Sequence, residues 1–202
     1  MSNIIFKPWV GSQYQSGGIL HKRILALGES HYFGGEDKVF EMTEPTDFTS
    51  QVVRSYLDEN SPYERWKNTF KKFERSLVNR VTTHDESNLV WKSIVFYNYL
   101  QAVLSSPRQS VPPDLYKKSE DAFFEVLEEF RPEEIVCWGT TRLYDKMPQR
   151  NWIAGPTKII DGRSIFNGFY TLGDGTKIPA VWVNHPSSAY DWSFWHKAIF
   201  SF

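Results

Sequence analysis

Residues 24–32 read Ile-Leu-Ala-Leu-Gly-Glu-Ser-His-Tyr, an apolar run that passes directly through a glycine into a polar, ionisable cluster. A short continuous apolar run predicts a strand covered on both faces, and such strands belong to parallel sheets held between helices. Three further segments have the same character: SIVFY at Ser93–Tyr97, EIVCWG at Glu134–Gly139 and PAVWVN at Pro179–Asn184. Between them the periodicity turns helical. Over Pro62–Arg80, Trp66, Phe70, Phe73 and Leu77 recur at the spacings of one helical face, and over Pro113–Phe130 so do Leu115, Ala122, Val126 and Phe130. The late segment FNGFYTLGDGTKIPAVWV carries a Gly-Asp-Gly turn between two strand-like stretches and predicts a hairpin. Together these patterns predict the α/β class: a three-layer doubly wound fold with a central, mostly parallel, four-stranded sheet.

The chain has 202 residues, 41% of them hydrophobic and 23% charged, the composition of one folded domain over residues 1–202. Residues 1–20 are expected to be an irregular N-terminal extension. A formal net charge of −1 excludes a uniformly basic coat for nucleic acid but leaves room for a local patch. Arg65, Lys67, Lys71, Lys72, Arg75 and Arg80 supply one on the first predicted helix, where they outnumber Glu64 and Glu74. Acidic residues gather instead from Glu120 to Glu134. Both runs also read as ordinary solvated helix faces.

Cys137 is the single cysteine, which excludes an internal disulfide and a cluster needing several thiolates from this chain. It is expected to be a small buried hydrophobe in a reducing, cytoplasmic setting. No metal and no cofactor are expected, and His21, His84 and His196 lack paired ligand spacing. The N-terminus has no secretory pattern, and the longest apolar tract, Ser93–Leu104, is too short for a bilayer, so no membrane partner is expected. A monomer is expected.

In an open parallel sheet, ligands bind beyond the carboxyl ends of the strands. Here those ends carry Gly28-Glu29-Ser30-His31-Tyr32, then Asn98, then Asn184-His185-Pro186-Ser187-Ser188. The order strand-GESHY, strand-Asn98, FRPEEIVCWGTTRLYDKM and strand-HPSS resembles the uracil-DNA glycosylase superfamily, over roughly residues 23–192. That resemblance implies a divergent member without an iron-sulfur cluster, acting on DNA, damaged or single-stranded, or on a nucleobase-containing ligand. It implies hydrolysis of the N-glycosidic bond of an extruded uracil or other deaminated base. Residue by residue, it assigns Asn98 to the pyrimidine edge and His185 to the charge that develops on the base. Ser187 and Ser188 go to a phosphate, and Tyr32, with Phe33 as a stacking ring, to the base pocket. Gly28 and His31 belong to the loop that contacts substrate. Where one branch of that superfamily has a water-activating Asp this chain has Ser30, with Glu29 one position earlier as the group that orients water.

Each of these residues has a plain structural alternative. Glu29 and Ser30 also suit a helix cap, Asn98 a strand-end hydrogen bond, His185 a turn before proline, and Tyr32 and Phe33 a core. Two other functional classes stay open: a non-catalytic nucleobase-binding protein of the same fold, and a Gly-Asp-Ser-type hydrolase with Ser30 as nucleophile and His185 as base.

Overall fold

The computed structural model describes residues 2–32, 45–104 and 110–202. In chain order its elements are β1 (Trp9–Val10), β2 (Ile24–Gly28), β3 (His31–Tyr32), α1 (Phe48–Leu57), α2 (Lys67–Val78), α3 (His84–Lys92), β4 (Ile94–Asn98), β5 (Val103–Leu104), α4 (Pro113–Lys118), α5 (Glu120–Phe130), β6 (Glu134–Trp138), β7 (Trp152–Ala154), β8 (Lys158–Ile160), β9 (Arg163–Ile165), β10 (Asn167–Thr171), β11 (Lys177–Val183) and α6 (Trp192–Ile199).

The four predicted strands are β2, β4, β6 and β11. They lie side by side in the order β4-β2-β6-β11, every neighbouring pair parallel. The sheet is wider than the expected four strands, however, and runs β1-β4-β2-β6-β11-β10-β7, with seven strands. The three additions all pair antiparallel, β1 and β7 as the edges and β10 between β11 and β7. Two of them, β1 and β7, have only two and three residues. Strands that short carry almost no periodicity, so only pairing with an existing edge reveals them.

Alternate residues along the parallel strands feed two cores. Leu25, Leu27, Val95, Tyr97, Ile135, Cys137, Ala180 and Trp182 face α5, through Phe123, Val126 and Leu127. Ile24, Ala26, Ile94, Phe96, Val136, Trp138, Val181 and Val183 face the other way, against Phe70, Phe73 and Leu77 of α2, Trp91 of α3 and Trp195 and Ile199 of α6. Both faces are therefore dry, which is why the strands read as continuous apolar runs. Full burial of one such side chain is worth about 1.5–3 kcal/mol. The predicted hairpin forms between β10 and β11, and Gly175 closes its turn at φ 86°, a conformation that glycine adopts without cost.

Three expectations change. The N-terminal segment is tied down: Trp9 and Val10 pair with Phe96 and Val95, and Tyr14 is fully buried with its hydroxyl donating to the Phe130 carbonyl at 3.1 Å. The helix expected over Pro113–Phe130 is two helices that part at Ser119, whose Oγ donates to the Leu115 carbonyl and accepts from the Gln101 amide. Two charged groups assigned to surface runs are fully buried. Glu134 is fully buried and paired with Lys22, and burial pushes its carboxyl up to about 7 against the pull of Lys22 and Lys158.

Glu74 is the other. This fully buried carboxylate on α2 accepts from Tyr56 Oη at 2.7 Å, Thr82 Oγ1 at 2.5 Å, Ser87 Oγ at 2.6 Å and Trp91 Nε1 at 3.0 Å. It ties α1, α2, the following loop and α3 to one point. A buried carboxylate is tolerated when its lone pairs are filled in this way, and removing it strands four donors. Glu74→Ala is expected to lower unfolding free energy by about 3 kcal/mol or more in urea titration. An exposed-side change such as Lys71→Ala is expected to stay within about 0.5 kcal/mol.

Candidate active site at the strand ends

The carboxyl end of β2 is built around a close approach. Gly28 lies opposite Asn98 in the parallel register, and a Cβ on Gly28 would fall 2.1 Å from Asn98 Oδ1. Any side chain there would push the Asn98 amide aside. The backbone beyond is held by the Tyr99 amide donating to Gly28 O at 3.0 Å and the Leu100 amide to Glu29 O at 2.9 Å. The turn that carries Glu29 and Ser30 is thereby fixed against the end of β4.

Asn98 does not present its amide to an open rim. It is buried, and Nδ2 donates to His31 Nδ1 at 3.0 Å. Nδ2 also lies 3.3 Å from His31 Nε2, which in turn stands 3.0 Å from Thr49 Oγ1. His31 is itself buried between the rings of Phe6 and Phe48, at centroid distances of 5.2 and 4.7 Å. Burial lowers its pKa to about 3. The expected base-reading amide and the expected loop histidine thus spend their polarity on each other. Tyr32 continues into β3, where it pairs with Leu104. Phe33 lies outside the described residues.

Glu29 and His185 come to the rim as expected. Glu29 Oε1 accepts from Tyr116 Oη at 2.6 Å, and Oε2 lies 3.4 Å from Arg142 Nε. Burial, and after it the positive charge of Arg142, lower the pKa of His185 to about 4. The imidazole is therefore neutral at pH 7. Its Nδ1 accepts from the Ser187 amide at 3.2 Å and meets Ser187 Oγ at 2.7 Å, which assigns the ring proton to Nε2. The ring stands edge-on to Trp138, at 6.0 Å and 87°.

The turn after His185 is closed by Ser188, whose Oγ and amide both donate to the His185 carbonyl, at 2.7 and 2.9 Å. Ser187 and Ser188 are exposed, and Lys72 of the basic helix donates to the Ser188 carbonyl at 3.0 Å. The partner of His185 is thus Ser187.

Two residues of the site escaped sequence reading. Arg142 follows Gly139-Thr140-Thr141 after β6, pairs with Glu29 and acts on His185 through its charge, while Tyr116 comes from α4. Neither carries a local signal beyond its residue type, although the position of Arg142 just past a parallel strand end is where ligand-contacting groups are expected. Thr140 Oγ1 donates to Asn184 Oδ1 at 3.1 Å and so joins the ends of β6 and β11. Chemically, the rim combines a carboxylate, a guanidinium, a neutral imidazole and exposed hydroxyls, a set suited to orienting water and stabilising an anion. Among the described residues no group of three or more His, Cys, Asp and Glu could hold a metal ion, and no helix is long and apolar enough to cross a membrane. Neither the family models nor the curated proteins searched contain a match to this chain.

Two measurements follow from these environments. Arg142→Met is expected to raise the His185 pKa above about 4 in an NMR titration and to leave it below the ordinary 6.5, because burial is the larger cause. His31 has a folded pKa below its unfolded value, so the stability it contributes is full above pH 6.5 and is lost as pH falls toward 3. The loss over that window is on the order of 5 kcal/mol. Stability measured against pH is expected to fall less steeply in His31→Gln than in the natural chain, and equal slopes would overturn this account.

Proposed function

We propose that this chain is a glycosylase-like hydrolase that cleaves the N-glycosidic bond of an extruded uracil or other deaminated base in DNA. The observation that carries the reading is Arg142, whose Nε lies 3.4 Å from Glu29 and whose charge also acts on a neutral His185 just past the end of β11. In this reaction a water oxygen bonds to the sugar carbon while the carbon–nitrogen bond breaks, and the bonding electrons leave with the base. The transition state needs a hydrogen-bond donor for the growing negative charge on the base and an acceptor that orients the water. His185 supplies the donor through Nε2–H, and its low pKa keeps it in the form that donates without being an acid. Glu29 supplies the acceptor, held in place by Tyr116 and Arg142. Ser187 and Ser188, exposed beside the basic α2, suit a phosphate of the flanking strand. An unstacked base is required, since neither the base edge nor the sugar carbon is reachable in a closed duplex. The buried thiol of Cys137 fits the accompanying expectation of a reducing, cytoplasmic location.

A second reading draws on the Asn98–His31 pair. With the amide already occupied and Ser30 where a water-activating Asp would stand, the same rim suits a protein that binds a nucleobase-containing strand without cutting it.

Base release from single-stranded oligonucleotides containing uracil, hypoxanthine or xanthine separates the two. The hydrolase is expected to release at least one of these bases. Glu29→Gln and His185→Ala are each expected to slow it by about 100-fold or more. Salt-dependent binding with no release from any of the three, by folded protein, would give the second reading the site.

A further inference from the structure

The serine turn leads from the strand-end rim onto α2. Lys72 donates to the Ser188 carbonyl, and one turn later in α2 the Ser76 carbonyl accepts from His196 Nδ1 at 2.9 Å, in the middle of α6. Because α6 begins just after the serine turn, this order places the start of α2, and Tyr63 before it, at the rim end of the molecule. Among the described residues Tyr63 is the most exposed large apolar or aromatic side chain, at 74%. Trp66, three residues on, instead seats its ring edge-on against Phe70, 5.4 Å away at 81°. The exposed ring is nonetheless anchored, since Asn68 Nδ2 donates to Tyr63 Oη at 2.6 Å. Asn68 and Lys72 are four residues apart and share one face of α2, so ring, amide and ammonium follow one another toward Ser188. Arg65 and Lys71 are exposed along the same stretch, 63–72, where Glu64 is the acidic residue. The exposed acids Asp121, Glu128 and Glu129 sit on α5, across the sheet, which directs a polyanion to the α2 side.

We propose that Tyr63 is a stacking platform for an unpaired base of the strand that enters the rim, with Arg65, Lys71 and Lys72 along its phosphates, and that the substrate is therefore single-stranded. This rests on the nucleic-acid reading above, in either its hydrolytic or its binding form. A ring of this kind accepts any base, because every base has a π-face, so the affinity it supplies is insensitive to sequence. In a duplex the flanking bases are already stacked on their neighbours and present no free face. Tyr63 thus separates the single strand from the duplex, while the basic side chains attract both.

The test is fluorescence anisotropy of a labelled uracil-containing oligonucleotide, single-stranded or annealed to its complement, titrated with the full chain, alongside base release from both. The single strand is expected to bind about tenfold or more tighter than the duplex. Tyr63→Ala is expected to weaken the single strand by about tenfold and to change duplex binding by less than about twofold. Tyr63→Phe keeps the ring and is expected to stay within about threefold of the natural chain. Arg65→Gln is expected to lower the slope of log affinity against log salt by about 0.7, whereas Lys177→Gln, exposed at the opposite end of β11, leaves affinity and slope unchanged. Equal affinity of the natural chain and Tyr63→Ala for the single strand, or a duplex bound as tightly as the single strand, would overturn this inference even where base release persists. A folded natural chain that neither binds nor releases would remove the nucleic-acid reading together with it.

Discussion

Four parallel strands covered on both faces impose the constraint from which the rest of this structure follows. Their backbone groups pair within the sheet and their side chains enter two dry cores, so the strand interiors have no place for polar chemistry. Function is left to the strand ends. The short antiparallel edges β1, β7 and β10 extend the same sheet without disturbing its centre, and the N-terminal segment is recruited as one of them.

Within that frame, buried polar groups serve as fixed points. Glu74 gathers four donors from separate elements, and Asn98 and His31 lock the ends of β2 and β4 to α1 through Thr49. Both arrangements spend functional-looking side chains on architecture. What they leave at the rim is a smaller set, Glu29, Tyr116, Arg142 and His185 with the serine turn, in which charge and neutrality are arranged by burial and by one guanidinium. The aromatic excess divides in a similar way. Phe70, Phe73, Trp91, Phe96 and Trp138 form a packed layer under α2 and α3, while Tyr144, Trp152, Tyr170 and Trp182 pack ring on ring on the other face of the sheet.

The legible parts were those with a local cause. Ile24–Gly28 appears as a strand within the bounds that its apolar run predicts, and the Gly-Asp-Gly turn closes a hairpin. The stripe of Phe70, Phe73 and Leu77 is the buried face of α2, although that helix starts at Lys67, five residues after the predicted Pro62. Glu74 could not be read as buried, because a glutamate on a basic helix looks solvated until Tyr56, Thr82, Ser87 and Trp91 are brought to it. Arg142 was hidden for the same reason: its meaning lies in Glu29 and His185, more than a hundred and more than forty residues away in sequence.

The layer order, the four parallel strands and the strand ends as the place for polar residues are written locally, because hydrophobic periodicity and strand burial are set by neighbours in the chain. The positions of Glu29 and His185 at those ends are written the same way. Which polar side chains remain available there depends on contacts that form only in the folded chain. Hydrogen bonds between distant residues compete for each donor and acceptor, and that competition gave Asn98 to His31, Glu29 to Tyr116 and Arg142, and His185 to Ser187. Burial then set which of them carry charge.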